Sequence, residues 1–398
     1  MKIEIYSPTI RRKEMDAVLT AMVEDKIGPG EQAKFLIQTA REKIRFDYCL
    51  ALRSPAIALY LALKALNLEQ GQGVVVSALS PLYYERVIKD LGLVPLYCDV
   101  LSSAACIGRE SVEKILASKQ TGLPHPRCIV LHHTLGFIPD GSALAELGIP
   151  IIEDCSQSYG TTIRADADSD AADVKSTDLK SVDAKSAETK SGDLKFVEGN
   201  AGVFTILGLE ERDMLTSGGG ALLYSMNRRD AAVLRNQGDL PLEYGLPDMN
   251  AALAVVQFRE AVKNLLKRRE IARLYTQSAL RTRHKRFVQY DVQNPGAQGE
   301  RSSGGNGDEP EKLPVEYNNY AFPLILETGM KDVKAYARRK DIAVESAFEN
   351  TLVGSGMVPP EQCPEAYSLS LRTVLFPIYP RLGTANAGKV AKLILTLP

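Results

Sequence analysis

Histidine is scarce in this chain. Its 398 residues hold four (His125, His132, His133 and His284), and none sits in an HExxH spacing. Neighbouring strand residues point to opposite faces, so His132 and His133 are not expected to share one ion, and no resident metal is expected. The six cysteines (Cys49, Cys98, Cys106, Cys128, Cys155, Cys363) form no CxxC pair. Several lie in apolar strand-like runs such as Arg127-Cys-Ile-Val-Leu131, which reads as buried, reduced thiols. Long apolar runs are missing too: the longest are short, such as residues 251–256, against the ~20 residues of a membrane helix. The opening residues lead straight into Arg11-Arg12-Lys13-Glu14 without a signal-peptide core, so the expected location is the cytoplasm. Neither charge dominates. Lys+Arg number 48 against 49 Asp+Glu, and without a basic excess neither nucleic acid nor a membrane surface is an expected partner. GxGxxG, P-loop and GxSxG motifs are all absent, which counts against dinucleotide, kinase-like and serine-hydrolase chemistry.

What is present is an alternation. Met15, Val18, Leu19 and Met22 recur at helical spacing, the stripe of an amphipathic helix facing a core. Short apolar runs at 48–52, 74–77, 94–98, 128–132 and 149–152 then alternate with helical segments at 56–66, 83–91, 110–117 and 141–147. Strands separated by helices of that length imply crossovers, hence an α/β fold with a mixed, mainly parallel sheet covered on both faces. Residues 164–198 carry the pentads Asp173-Val-Lys-Ser-Thr, Asp178-Leu-Lys-Ser-Val and Asp183-Ala-Lys-Ser-Ala, then Glu188-Thr-Lys-Ser-Gly. A period of five matches neither helix nor strand, so this reads as a disordered low-complexity insertion. Residues 293–314 read as a flexible loop. The expected division is a large domain over 1–280 and a small C-terminal α+β domain over 281–398. Its elements should be a strand at 317–326, a helix at 331–340, a strand at 342–346 and a helix at 384–395, with a long helical stripe at 251–280 before it.

Ile151-Ile-Glu-Asp154 places a carboxylate at the C-terminal end of a strand, the sheet edge where ligands of open α/β folds bind. At such a place an aspartate either faces a ligand or caps the following turn. Ser217-Gly-Gly-Gly220 before the apolar run at 221–224 permits close approach of a backbone or a ligand, or is simply a tight turn.

In order along the chain, these features resemble the DegT/StrS-type sugar aminotransferases, pyridoxal-phosphate enzymes of fold type I. The helix at 56–66 is similar to the family's phosphate-loop helix. His133-Thr-Leu-Gly136…Asp140 and Ile152-Glu-Asp-Cys-Ser-Gln157-Ser-Tyr-Gly160 are similar to its next signatures, the second being the most specific. Gly199-Asn-Ala-Gly-Val-Phe204, Leu246-Pro-Asp-Met-Asn250 and Leu375-Phe-Pro-Ile-Tyr-Pro380 complete the series. The resemblance implies that Asp154 faces the pyridine nitrogen and Gln157 lies beside the ring. Ser54, Ala56 and Ser217 would serve as lesser cofactor contacts. It implies a homodimer and a sugar-nucleotide substrate.

The family's Schiff-base lysine has no counterpart. Counted from Phe204 its position falls on Glu210, and counted back from the glycine run on Asp213; residues 196–262 contain no lysine. Arg212 is the nearest cation and, being always protonated, a poor nucleophile. Lys195 falls within the insertion. The phosphate loop reads Ser54-Pro55-Ala56, a good helix start that has lost a hydroxyl and an amide donor. The stacking aromatic falls at Pro81, with Tyr83 or Tyr84 as substitutes, and Glu243 stands where the family has asparagine. Three readings follow. The chain is a member of sugar or polysaccharide biosynthesis with impaired or altered cofactor chemistry, a non-catalytic scaffold or partner of an active paralogue, or a lysine-independent enzyme. The last would hold pyridoxal or pyridoxamine phosphate (PLP or PMP) non-covalently, with Glu210, Asp213 or His133 as base.

Overall fold

The computed structural model describes residues 2–117, 123–164, 194–196, 201–237, 240–287, 315–327 and 329–398. The chain begins with α1 (Arg12–Val23), α2 (Glu31–Lys43), β1 (Tyr48–Leu52), α3 (Pro55–Ala65), β2 (Gly73–Ser77) and α4 (Tyr83–Asp90). It continues through β3 (Val94–Cys98), α5 (Arg109–Ala117), β4 (Pro126–His132), α6 (Gly141–Ala145) and β5 (Ile151–Asp154). Next come β6 (Thr162–Arg164), β7 (Leu194–Phe196), β8 (Phe204–Gly208), β9 (Ala221–Ser225), α7 (Arg228–Arg235) and the long α8 (Asp248–Ala279). The last part holds β10 (Val315–Glu316), β11 (Phe322–Ile325), α9 (Met330–Arg339), β12 (Glu345–Ser346), α10 (Pro364–Arg372), β13 (Thr373–Phe376) and α11 (Gly383–Leu395).

Seven strands build the main sheet in the order β1-β9-β8-β5-β4-β2-β3. The inner pairs β2–β3, β2–β4, β4–β5 and β5–β8 are parallel, while β9 runs antiparallel to both β1 and β8. Strands such as β2 and β8 are buried along their whole length, which is why they read as unbroken apolar runs instead of alternating ones. The mixed, mainly parallel sheet is the one expected from the sequence. A smaller antiparallel sheet, β11-β13-β12, has a core of its own in which Leu324, Val374 and Phe376 pack with Tyr275, Val333 and Val390. Ile3 bridges to Ile342, so the start of the chain lies against this second unit.

Three expectations need correction. In α1 the helix forms as read, but Met15, Leu19 and Met22 are exposed, and the buried positions are Glu14 and Ala21. The buried side packs on α8, where Glu14 accepts hydrogen bonds from the Arg11 backbone and the Gln257 side chain. The insertion does not extend to residue 198 without structure, because the backbone of β7, at its end, pairs with β6 and sets Lys195 opposite Ile163. Its pentads, and the loop at 293–314, lie outside the described residues. Finally, the strands expected at 317–326 and 342–346 are shorter, Phe322–Ile325 and Glu345–Ser346, and the pairing strand β13 was not foreseen.

Candidate functional site

Parallel strands deliver their C-terminal ends to one edge of the sheet, and there β4 and β5 place His132 beside Asp154 in register. Asp154 is 1% exposed. Its Oδ1 accepts from the backbone N–H (3.0 Å) and the hydroxyl of Ser156, and its Oδ2 from the hydroxyls of Tyr84 and Tyr83, the latter at 3.3 Å. His132 Nδ1 lies 3.7 Å from Oδ2. Burial by itself would raise the Asp154 carboxyl, but His132, Ser156 and Tyr84 outweigh it and hold the group well below the usual carboxylate range. Burial and the Asp154 charge push both phenols far above theirs. The aspartate is therefore ionised and the tyrosines neutral donors. Tyr83 and Tyr84 stand against one another edge to face, with ring centroids 4.9 Å apart.

The two counts for the family lysine part company in space. Glu210 is exposed, whereas Asp213 is half-buried and lies within the electrostatic reach of Asp154, Tyr83 and Tyr320. A Cβ on Gly208 would come within 2.3 Å of Asp213 Oδ2 and 2.7 Å of Ser156 Oγ, so the glycine at the end of β8 leaves the room Asp213 occupies. Asp213 Oδ2 accepts the Glu210 N–H at 2.8 Å. Burial raises the Asp213 carboxyl; the Glu210 N–H offsets this in part, and the charges of Asp154 and Glu210 raise it again, leaving it well above its ordinary value. Two carboxyl groups in one pocket are thus shifted in opposite directions.

His133 does not reach this pocket. Alternation turns it to the other face, where Nε2 stands 3.0 Å from Glu153 Oε1 and Nδ1 is 2.7 Å from Ser158 Oγ. Glu153 also accepts the N–H groups of Ala201 and Gly202 at 3.1 and 3.0 Å. The side chains of His133, Glu153 and Cys155 converge within 4.8 Å of one another, and in this arrangement they fasten β4, β5 and the loop entering β8. On the Asp154 side the histidine present is instead His132, which the sequence had not singled out as a candidate. Only the alternation signal could have found it.

The remaining expected contacts are in the neighbourhood but already engaged. Gln157 Oε1 accepts the N–H of Leu135 at 2.6 Å, bracing a residue whose φ is 56°. Ser54 caps α3 by accepting the Ile57 N–H at 3.3 Å, with Pro55 and Ala56 in the first turn as read. Ser217 donates to the Gly219 carbonyl at 2.7 Å. The pairing of Leu52 with Ala221 brings the Ser54 and Ser217 loops together, at the end of β1 and the start of β9.

Whether these residues fit a pyridoxal group turns on Asp154. A carboxylate has about four lone-pair positions, and the four donor groups of Ser156, Tyr83 and Tyr84 take them. In this arrangement none is left for a pyridine nitrogen, and no amine stands at Asp213. The described pocket does not fit the group at its ring nitrogen or at its aldehyde.

Residues 8–178 match the model of the DegT/DnrJ/EryC1/StrS aminotransferase family. The chain is similar to L-glutamine:2-deoxy-scyllo-inosose aminotransferase of Streptomyces fradiae, 29% identical over 121 residues, 29% of this chain. That match spans only 27% of the relative's length. A longer one, 21% identical over 278 residues, covers 69% of this chain and 70% of GDP-perosamine synthase of Escherichia coli O157:H7. Among solved structures, Spr1654 of Streptococcus pneumoniae in its PLP form superposes with a TM-score of 0.76 at 15% identity, over 100% of this chain and 98% of that one. That protein is also known in a PMP form. No helix among the described residues is long and apolar enough to cross a membrane. The resemblance read from the sequence holds: residues 8–178 match the DegT/DnrJ/EryC1/StrS aminotransferase family, and the chain as a whole takes the fold of solved sugar aminotransferases.

Proposed function

We propose that this chain is a sugar-aminotransferase relative that has given up covalent transamination. It would serve sugar, nucleotide-sugar or polysaccharide biosynthesis as a non-catalytic binding or partner subunit, in the cytoplasm and as a homodimer. One observation supports the reading: Asp154 is closed off by Tyr83, Tyr84 and Ser156, and a carboxyl, Asp213, at one of the two positions counted for the family lysine, lies within its electrostatic reach. Schiff-base chemistry needs an amine nucleophile beside the ring, and a carboxyl cannot take its place. The test is to mix the protein with pyridoxal phosphate, record the visible spectrum, reduce with borohydride and map the peptides. No specific adduct is expected. A stoichiometric adduct on one lysine lying against Asp154 would overturn the reading and make the chain an active aminotransferase.

A second reading, a lysine-independent enzyme, is favoured by the opposite pKa shifts of Asp154 and Asp213, since paired groups pushed apart in pKa are the mark of acid–base sites. Turnover of a keto- or amino-sugar that needs added pyridoxamine phosphate, and is abolished in Asp213→Asn, would select it over the first.

A further inference from the structure

On the face of β5 turned away from Asp154, three side chains able to ligate a metal converge. His133 follows β4, Glu153 lies in β5 and Cys155 follows it, and one donor atom of each stands within 4.8 Å of the other two. All three are buried, His133 at 0%, Glu153 at 4% and Cys155 at 0% exposure, and Cys155 is in no disulfide. The grouping shows no HExxH or CxxC spacing because its members come from two neighbouring strand ends, joined where the His133 N–H donates to the Asp154 carbonyl.

Hydrogen bonding sets the state of the imidazole. Ser158 Oγ donates to the Cys155 carbonyl at 3.3 Å, so it is an acceptor toward His133 Nδ1, 2.7 Å away. This network assigns the ring proton to Nδ1 and leaves a lone pair on Nε2. Nε2 is buried and stands 3.0 Å from Glu153 Oε1, yet it makes no hydrogen bond among the described residues. The other carboxylate oxygen, Oε2, accepts the N–H groups of Ala201 and Gly202. Two acceptor atoms thus face one another at contact distance, which only a proton or a metal cation between them makes attractive.

We propose that His133 Nε2, Glu153 Oε1 and Cys155 Sγ bind a divalent ion of the zinc class, which ties β4, β5 and the loop entering β8 together. Nitrogen and oxygen ligands each about 2.0–2.1 Å from a tetrahedral zinc stand roughly 3.3 Å apart, and the His133–Glu153 separation of 3.0 Å is already close to that. A turn of the Cys155 side chain brings its sulfur to the usual distance of about 2.3 Å. A thiolate paired with an imidazole selects zinc over magnesium or calcium, which take oxygen ligands. On binding, the Cys155 thiol gives one proton to solvent and the imidazole gives none, since Nε2 is already bare. Ser158 orients the ring from behind. The site is independent of the proposed function, because the group faces away from Asp154.

The full chain, stripped with a chelator and reloaded with zinc or cobalt(II), provides the test. A stoichiometric ion should remain after gel filtration, the unfolding temperature should rise with it, and the cobalt form should show a thiolate charge-transfer band in the near ultraviolet. Cys155→Ser should lose that band and at least about a hundredfold in affinity, whereas Ser158→Ala, which removes only the support of the ring, should lose about tenfold. If a circular-dichroism spectrum shows Cys155→Ser to be unfolded, Ser158→Ala and the cobalt band of the unaltered chain decide the matter. The proposal falls if the chain holds no stoichiometric zinc, the result expected of a protonated His133 merely ion-paired with Glu153. It falls equally if cobalt gives no thiolate band, or if Cys155→Ser keeps both band and affinity, which would put the ion at another cysteine. A borohydride-trapped cofactor adduct would instead sink the proposed function and leave the metal site standing.

Discussion

Replacing Tyr84 by phenylalanine removes one hydroxyl and nothing else of consequence. The ring is fully buried, and its edge-to-face contacts with Tyr83 and His132 survive in the variant, so no cavity forms. The bond lost to Asp154 Oδ2 is the shortest it accepts, the other being that of Tyr83 at 3.3 Å, and a weaker contact of the hydroxyl with His132 Nδ1 at 3.4 Å goes with it. A hydrogen bond to a buried charge contributes about 1.5–3 kcal/mol, and Tyr84→Phe should destabilise by that amount, while Tyr83→Phe, with the longer bond, should cost less than about 1 kcal/mol. Both together should cost more than the sum, about 4 kcal/mol, since Oδ2 is then left to His132 across 3.7 Å. The sign with pH follows from the depressed Asp154 pKa. A carboxyl lowered on folding contributes stability above its unfolded value, and that stability is lost as pH falls through the folded one. The deficit of Tyr84→Phe should therefore be full from about pH 8 down to about pH 5 and shrink only in stronger acid. Urea unfolding followed by circular dichroism across that range measures it. A deficit under about 0.5 kcal/mol at neutral pH, or one that grows in acid, would show that Tyr84 does not serve an ionised Asp154.

Asp213 should behave with the opposite sign. A carboxyl raised on folding contributes stability below its unfolded pKa that is lost as pH rises through the folded one, so Asp213→Asn should stabilise by about 1–2 kcal/mol near pH 8 and by nothing near pH 4. A destabilised variant at pH 8 would contradict this. Glu153→Gln leaves His133 without its carboxylate and weakens the hold on Ala201 and Gly202, at a cost of about 3 kcal/mol, and amide exchange at those two residues should accelerate. Gly136 has φ 84°, and a Cβ there would lie 2.8 Å from Asn318 Oδ1 and 2.9 Å from the Gln157 carbonyl. Gly136→Ala should thus cost about 2–4 kcal/mol in the same unfolding assay, and an unchanged midpoint would mean the loop relaxes freely.

The strand–helix alternation, the buried parallel strands and the Ser54-Pro55 helix start were legible because each is a local pattern: apolar runs, helical spacing, a capping side chain followed by a fixed φ. The absence of a lysine over 196–262 was equally plain. The sequence also placed Asp154 at a strand end, and the parallel register of β4, β5 and β8 sets it between His132 and Ile206. What it left open was decided by packing across distant residues. Which of Glu210 and Asp213 turns inward rests on the turn after β8, where Gly208 leaves room for the Asp213 carboxyl while Glu210 is exposed. The same kind of choice turned His132, and not His133, toward Asp154, because pairing register decides which face of a strand meets the pocket. The stripe on α1 misled for a related reason: periodicity reports a helix and its two faces, but the side that packs is chosen by the partner. Here Glu14 and Ala21 meet α8, leaving Met15, Leu19 and Met22 outside.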